Sequence, residues 1–327
     1  MQNNNGLIHV EMGVTPYAMS ALTDADDHKM FNSAVDIFSD SAGQAPEVRP
    51  NGVITGGAVS VAASAADNAV DVAMLSCYLA GVKVAVSTAT DKVINRPAIN
   101  VAKVNSITVN AAGAVVIVSG TDGLTAVFSE ERGTAGGPPP IPAGSIEIAQ
   151  VRIATSAAAP IASAQIFQVV GAHLERYDWP MYNIDHVDGT VVFDVALPLN
   201  HAGGATKGIY ASYAEPVFVK QAFANDFVPA ETSHSASSAV VYGGVIGTSS
   251  MSLGQGGFTA ILKDGITDPL LSAADDVRWV RYFQDSNKSA HILTQGKIGV
   301  SRTFGAADHP KVKVTISAMK PSVNRAS

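Results

Sequence analysis

Eight histidines are scattered along the chain, and their spacing encodes no catalytic or metal-binding motif. They are His9, His28, His173, His186, His201, His234, His291 and His309. No two stand as His-x-x-x-His, the spacing that places two imidazoles on one helix face to hold zinc. The sequence also lacks the Gly-x-Ser-x-Gly nucleophile elbow and the Gly-x4-Gly-Lys phosphate loop. We therefore expect a protein that is not an enzyme and that uses no cofactor and no metal.

An acidic run formed by Asp24, Asp26 and Asp27 carries the oxygen ligands that calcium prefers. An EF-hand loop needs a glycine at its sixth position and a distal glutamate, and neither follows here. We interpret the run as a solvated acidic loop, and a calcium site is the weaker alternative. The pair Asp275 and Asp276 is interpreted in the same way, as a surface feature.

Two arginines flank two aromatic residues near the C-terminus, where Arg278 and Arg281 alternate with Trp279 and Tyr282. Such a cluster can stack on nucleic-acid bases. The whole chain, however, has 21 Lys and Arg against 28 Asp and Glu, a formal charge of −7. Affinity for nucleic acid comes mostly from basic residues on phosphates, so this balance argues against a phosphate-gripping surface. We favour cross-strand or interface packing for the cluster.

Cys77 is the single cysteine of the chain, which excludes an intrachain disulfide and a cysteine-based zinc site. It stands in an apolar stretch, residues 72–78, and free cysteines in such stretches are usually buried. We predict an inert core thiol.

The composition points to a surface that is covered by other protein. Hydrophobic residues make up 47% of the 327 residues and charged residues only 15%, against roughly 25% in an average soluble chain. Copies of the same chain are the simplest cover. Residues 1–6 have neither a basic nor an apolar leader pattern, and no apolar run reaches the ~18 residues that span a bilayer. We expect synthesis in a cytoplasm and no membrane insertion.

The pattern of short apolar runs predicts a mainly β fold of the sandwich or barrel type. The runs are 7–10, 53–54, 58–62, 82–88, 107–110, 114–118, 145–153, 190–197, 216–220, 239–242, 258–262, 277–283, 290–294, 297–304 and 311–317. Residues 110–113 are predicted to form a hairpin turn, and 67–79 fits either a strand or a helix. A helix is expected between Asp268 and Asp276, with Pro269 in its first turn.

Two changes in composition predict an inserted domain. Pro50, Asn51 and Gly52 interrupt the chain, and large aromatic residues return only after about residue 165. We predict a discontinuous domain of residues 1–51 and 169–327. A β-rich outer domain, residues 52–168, is inserted into it.

Two C-terminal segments, 275–286 and 294–301, resemble the major tail tube proteins of long, non-contractile-tailed bacteriophages. The likeness is to the Chi-like, flagellum-infecting group of these siphophages. The resemblance implies a β-sandwich-like tube domain with a flanking helix. Six copies would close a hexameric ring, their sheets would join in an inner β-barrel, and the rings would stack helically into a tail tube. Family members often carry an extra domain outside the tube.

The resemblance also implies a location and partners. The protein would belong to the virion, as part of the phage tail, after synthesis in the host bacterial cytoplasm. Its partners would be itself, the tape measure, tail terminator and tail tip proteins, and the double-stranded DNA that passes through the lumen without specific binding during genome ejection into the host.

An acidic wall would let that DNA slide, because it repels phosphates. We expect lumen or inter-subunit acids among Asp24, Asp26, Asp27, Asp194, Asp264, Asp275 and Asp276. We expect inter-subunit pairing or an outward direction for Arg278, Arg281, Lys297 and Arg302.

Two alternatives stay open at the sequence level. A phage head-decoration or adhesin-like surface protein would also be strand-rich, with residues 52–142 as a surface module. A carbohydrate-processing β-protein would need paired carboxylates in a cleft, and no spacing in the sequence identifies such a pair.

Overall fold

A computed structural model describes residues 6–167, 181–242, 244–305 and 309–326. The fold is mainly β, with 50% strand and 4% helix, which confirms the predicted class. The strands are β1 Leu7–Ala21, β2 Thr23–Asp24, β3 Met30–Asn32, β4 Glu47–Val48, β5 Gly52–Gly56, β6 Val59–Val61, β7 Ala69–Val72, β8 Leu75–Leu79, β9 Val82–Val86, β10 Ala89–Val93, β11 Lys103–Val109, β12 Val115–Ser119 and β13 Ile146–Ile153. They continue with β14 Ile166–Phe167, β15 Tyr182–Asp185, β16 Thr190–Phe193, β17 Tyr210–Gln221, β18 Ala224–Val228, β19 Thr232–Val241, β20 Gly244–Leu253, β21 Gly256–Ile261, β22 Val277–Phe283, β23 His291–Thr303, β24 Lys311–Ala318 and β25 Val323–Arg325.

Helical structure in the described ranges is limited to three short 3₁₀ helices, Ser163–Gln165, Gly265–Thr267 and Pro269–Ala273. The third lies where a helix was predicted, with Pro269 in its first turn as expected. The Asp268 side chain begins it by accepting a hydrogen bond from the Leu270 backbone N–H at 3.0 Å.

The chain divides into two compact units. The first consists of Met1–Pro16, Ile37–Pro46 and Tyr213–Ser327, and the second of Tyr17–Asp36 and Glu47–Ser212. The predicted limit at 168/169 lies outside the described residues.

The units group residues 17–36, 47–51 and 181–212 with the inserted segment, unlike the predicted division. Hydrogen bonds within the second unit connect these pieces. Leu22 N–H donates to the Ile209 carbonyl at 2.9 Å, and Tyr182 Oη donates to the Val48 carbonyl at 3.3 Å.

The first unit contains a large sheet in which neighbouring strands follow the order β18-β21-β24-β23-β22-β1-β17, with β25 paired to β23. Alternation along β24 buries Val312, Val314 and Ile316 and exposes Lys311 and Lys313. The buried set joins a core that also takes residues from β1, β21, β22 and the third 3₁₀ helix. A strand predicted only at 7–10 extends to residue 21 as β1.

The second unit contains small sheets, in the orders β10-β7-β6, β12-β11-β13-β14, β15-β16-β3-β2 and β5-β8-β9. Residues 67–79, left open between strand and helix, form β7 and β8. The hairpin predicted at 110–113 is confirmed as the β11–β12 turn. There the Asn110 side chain accepts hydrogen bonds from the backbone of Ala112 and Ala114 at 3.0 Å, and Gly113 has φ of +76°.

Candidate functional site

A long hairpin of the first unit, residues 232–253, forms a two-stranded sheet from β19 and β20. We call it the hairpin arm. Its register runs without interruption from Thr232↔Leu253 to Val241↔Gly244. In the described part of the chain, neither strand has a ladder partner outside the hairpin.

The hairpin arm exposes small polar side chains on both of its faces. Residues 233–238 and 249–252 are all exposed. Cross-strand hydroxyl pairs line one face, with Ser233 and Ser252 at 2.8 Å and Ser235 and Ser250 at 2.7 Å. Tyr242 at the turn is fully exposed. None of these exposed residues is buried against another part of the described chain.

Sequence reasoning missed most of this arm, because it predicted a strand only at 239–242. The signal that could have found it is Gly243-Gly244 between two runs rich in β-branched residues. Serine and alanine weaken the strand pattern elsewhere in the arm, since neither favours β-structure.

The edges of the large sheet are a second candidate for contact between chains. Within the described ranges, β18 pairs only with β21. Such an edge offers unpaired backbone groups to another chain. In β17, Val217 and Val219 are 43% and 46% exposed, although β17 is not the end of the sheet, because its start pairs with β4.

The acidic run of the second unit is folded onto its own backbone. Asp24 Oδ2 lies 2.7 Å from His28 Nδ1. Asp27 accepts hydrogen bonds from the backbone N–H groups of Lys29 and Met30 at 2.8 and 2.7 Å, and these bonds lower the pKa of its carboxyl. Asp26 is exposed and has φ of +69°. Asp26 and Asp27 lie in a polar bend after β2, in agreement with the loop interpretation, whereas Asp24 lies at the end of the strand.

The remaining acidic candidates lie in turns or bends. Asp194 follows β16 and accepts a hydrogen bond from Asn183 Nδ2 at 3.2 Å. Asp264 is exposed before the second 3₁₀ helix. Asp276 accepts hydrogen bonds from Ala42 N–H at 2.9 Å and Val277 N–H at 2.8 Å. Asp24 in β2 is thus the one acidic candidate that lies in a strand.

Two of the candidate cations pair with acids of their own chain. Arg278 Nη2 lies 2.7 Å from Asp276 Oδ2, with both side chains mostly buried. Lys297 Nζ lies 3.6 Å from Asp275 Oδ1, and both are largely exposed. These pairs are local, so the structure gives them an intrachain role beside the predicted inter-subunit one.

The other two candidate cations lie apart from these pairs. The Arg281 guanidinium lies over the Phe218 ring, 3.8 Å from its centroid. Arg302 is exposed near the end of β23. The contact between Arg281 and Phe218 agrees with the interpretation of the arginine-aromatic cluster as cross-strand packing.

Cys77 is fully buried, and burial raises the pKa of its thiol to about 11. The thiolate is the reactive form of cysteine. The prediction that Cys77 is a buried core thiol is therefore confirmed. Among the described residues, no group of three or more His, Cys, Asp or Glu is arranged to hold a metal ion. The helices in these ranges are too short to cross a bilayer.

Sequence reasoning also missed two buried carboxylates. Glu11 in β1 accepts hydrogen bonds from Ser39 Oγ and, at 2.9 Å, from the Trp279 backbone N–H. Glu147 in β13 lies 2.6 Å from Arg132 Nη2. Each carboxylate connects separate segments of its own unit through these contacts. Neither lies in a described cavity, so we treat both as structural groups.

Comparisons with known proteins provide no identification. No protein-family model matches the chain, and a search of curated proteins finds no match to it.

Proposed function

We propose that this chain is a structural virion protein whose copies assemble as stacked hexameric rings into the tail tube of a siphophage. The role is structural and not enzymatic. The observation that carries the proposal is the hairpin arm, residues 232–253, in which residues 233–238 and 249–252 are exposed and neither strand has a ladder partner outside the hairpin in the described ranges.

An isolated two-stranded hairpin is marginally stable in water, because it buries too little apolar surface. An arm with two ten-residue strands gains stability when another surface covers it. A neighbouring copy is the cover that a self-assembling chain always has available. The arm therefore supports assembly from the geometry, independently of the resemblance.

Exposed apolar residues and sheet edges support the same proposal. In the second unit Leu124, Val127 and Ile99 are 94%, 77% and 66% exposed. In the first unit β17 exposes Val217 and Val219, and the edge strand β18 pairs only with β21 in the described ranges. Sheets that join across a ring would remove such edges, as closure does in a barrel.

The acidic conduit remains part of the proposal. A lumen that repels phosphate lets the duplex slide during genome ejection. The candidate acids lie mostly in turns, so we propose that loops, and not strand faces alone, supply the negative charge. Residues 52–168 would lie on the outside of the tube, and the virion tail would be the site of action.

The test is electron microscopy and sedimentation velocity of the purified full-length chain. We expect rings or tubes from the wild type. A variant in which residues 233–252 are replaced by a short Gly-Ser turn is expected to remain monomeric or to form single rings.

In the matched control, the turn between β11 and β12 is shortened instead. One strand of this hairpin, β11, packs in a core. Tubes formed equally well without the hairpin arm would remove the main support for the proposal. Discrete trimers or monomers of the wild type would favour the head-decoration or adhesin-like alternative.

A further inference from the structure

A cationic and aromatic surface lies on the side of the large sheet opposite the apolar cluster of Ile8, Val10 and Val280, the side that the buried Glu11 and Trp279 also share. Core residues such as Ile8, Val10 and Val280 alternate with it along β1 and β22. We call it the cationic face. Its members are His9, Phe218, Lys220, Arg281, Phe283, His291 and Arg325.

Strand register places these side chains next to one another. His9 is opposite Arg281 in the β1–β22 pair, Phe283 is opposite His291 in β22–β23, and His291 is opposite Arg325 in β23–β25. Directly opposed residues share one side of the sheet. The strand β17, with Lys220, is the next neighbour of β1.

Ring contacts hold the surface together. Arg281 lies over the Phe218 ring at 3.8 Å, and Phe283 contacts His9 at 5.2 Å and His291 at 5.0 Å between centroids. Lys220 is exposed, and the other members are partly exposed. The surface is thus an ordered aromatic floor that carries the exposed Lys220 and the partly exposed Arg281 and Arg325.

Basic side chains lie near both histidines of this surface. The pKa of His9 is lowered by burial first, and then by the charges of Arg281, Lys220 and His291. The pKa of His291 is lowered by burial, and Arg281 and Arg325 lower it further while a hydrogen bond to the Ser289 carbonyl opposes them. Both histidines are therefore neutral near pH 7, and the fixed charges are those of lysine and arginine.

We propose that the cationic face binds carboxylates of a second copy of this chain. The inference rests on the self-assembly proposed above and names a surface for it. Arginine and aromatic residues are the types enriched at the centres of protein interfaces. The chain's net charge of −7 means that a second copy supplies carboxylates in excess. Nucleic-acid phosphate is the less favoured occupant, because only three fixed cations are present.

The first experiment measures assembly of the full chain against protein concentration and salt. Arg281→Gln is expected to raise the critical concentration by about tenfold or more, and Arg281→Lys to restore part of the loss. Lys220→Gln tests an exposed member that does not pack on Phe218. The control is Lys83→Gln, an exposed lysine on β9 outside the cationic face. Unchanged assembly in both Gln variants of the face would overturn the inference and leave the tube proposal intact.

The second experiment identifies the partner by zero-length carbodiimide cross-linking of mixed isotopically light and heavy protein. Lys220 is expected to join a carboxylate of the other copy, which gives light–heavy peptide pairs. Such pairs from a small oligomer that forms no tubes would support the cationic face and overturn the tube. Absence of light–heavy pairs, or Arg281-dependent binding of a short DNA duplex that weakens steeply with salt, would overturn the inference.

Discussion

Among the described residues, each unit buries one carboxylate, and the two units satisfy it in different ways. Glu11 of the first unit is fully buried and accepts hydrogen bonds from neutral donors, the Ser39 hydroxyl and the Trp279 backbone N–H. Glu147 of the second unit is 1% exposed and faces the guanidinium of Arg132 at 2.6 Å. Ser106 Oγ donates to the same Glu147 carboxylate.

The two carboxylates connect different kinds of segment within their units. Glu11 joins the start of β1 to β22 and, through Ser39, to the segment that follows residue 37. Arg132 joins Glu147 to the Pro139 carbonyl at 2.6 Å and so fixes the proline-rich segment on β13. A neutral donor set leaves Glu11 with a raised pKa, because burial outweighs its hydrogen bonds and the nearby Arg278.

Arg132→Ala is expected to have the largest effect on stability. It leaves Glu147 buried without its cation, which typically costs about 3–5 kcal/mol of the free energy of unfolding. Hydrogen exchange followed by mass spectrometry should show faster exchange in β11 and β13, with the first unit unchanged.

The matched control for this pair is Glu130→Ala. Glu130 also lies 2.6 Å from an arginine, Arg152, but its side chain is 76% exposed. An exposed pair of this kind contributes below about 1 kcal/mol. Equal losses from Arg132→Ala and Glu130→Ala would contradict the importance of burial in this comparison.

Trp279→Phe is expected to have an intermediate effect, on the first unit. The Trp279 Nε1–H donates to the Phe38 carbonyl at 2.9 Å in a buried site. Loss of this buried hydrogen bond should cost about 1–3 kcal/mol of the free energy of unfolding. Urea unfolding, monitored by hydrogen exchange in β22, measures this change in the free energy of unfolding. Tyr282→Phe, a change on the opposite face of β22, should alter the free energy of unfolding by no more than about 0.5 kcal/mol. A loss as large as that of Trp279→Phe would contradict the prediction.

Glu11→Gln should change how the stability of the first unit depends on pH, with a smaller effect on its stability at low pH. The folded-state pKa of Glu11 is raised above its ordinary 4.5. Folding therefore favours the protonated form, and stability falls as the pH rises from the ordinary value through the raised one. The Gln variant should lack this fall. Urea midpoints between pH 4 and pH 8 test it, and parallel pH profiles for both proteins would contradict it.

The smallest expected effect is that of a thiol reagent on the native second unit. Cys77 is buried with a pKa of about 11, so the native protein should not react with a disulfide reagent at pH 8. Reaction should follow unfolding and should become faster in Arg132→Ala, but stay slow in Trp279→Phe. Rapid labelling of the native wild type would contradict the burial of this thiol.

Much of the fold could be predicted from local sequence signals. The strand predicted at 277–283 matches β22, that at 311–317 matches β24 to within one residue, and the 110–113 turn joins β11 to β12. These elements alternate apolar and polar residues or carry an Asn-to-Gly turn, and each signal acts within a few residues. The 297–304 and 290–294 runs merge into β23, because apolar alternation alone does not mark where a strand continues.

The candidate site could be predicted only in part. The sequence indicated a polar loop around Asp27 and an arginine-aromatic cluster around Arg281. It did not indicate the hairpin arm, whose residues 233–238 and 249–252 are mostly small or polar, or the cationic face, whose members come from five strands.

By itself, the sequence determined a mainly β chain that is poor in charge, has a buried single thiol and contains no short catalytic motif. Only the tertiary structure decided which polar groups meet in the interior. Glu11 and Trp279 are 268 residues apart, and Glu147 reaches Ser106 across 41. Strand alternation is a property of neighbouring residues, whereas the partner of a buried carboxylate depends on strand order and register, which local patterns do not encode.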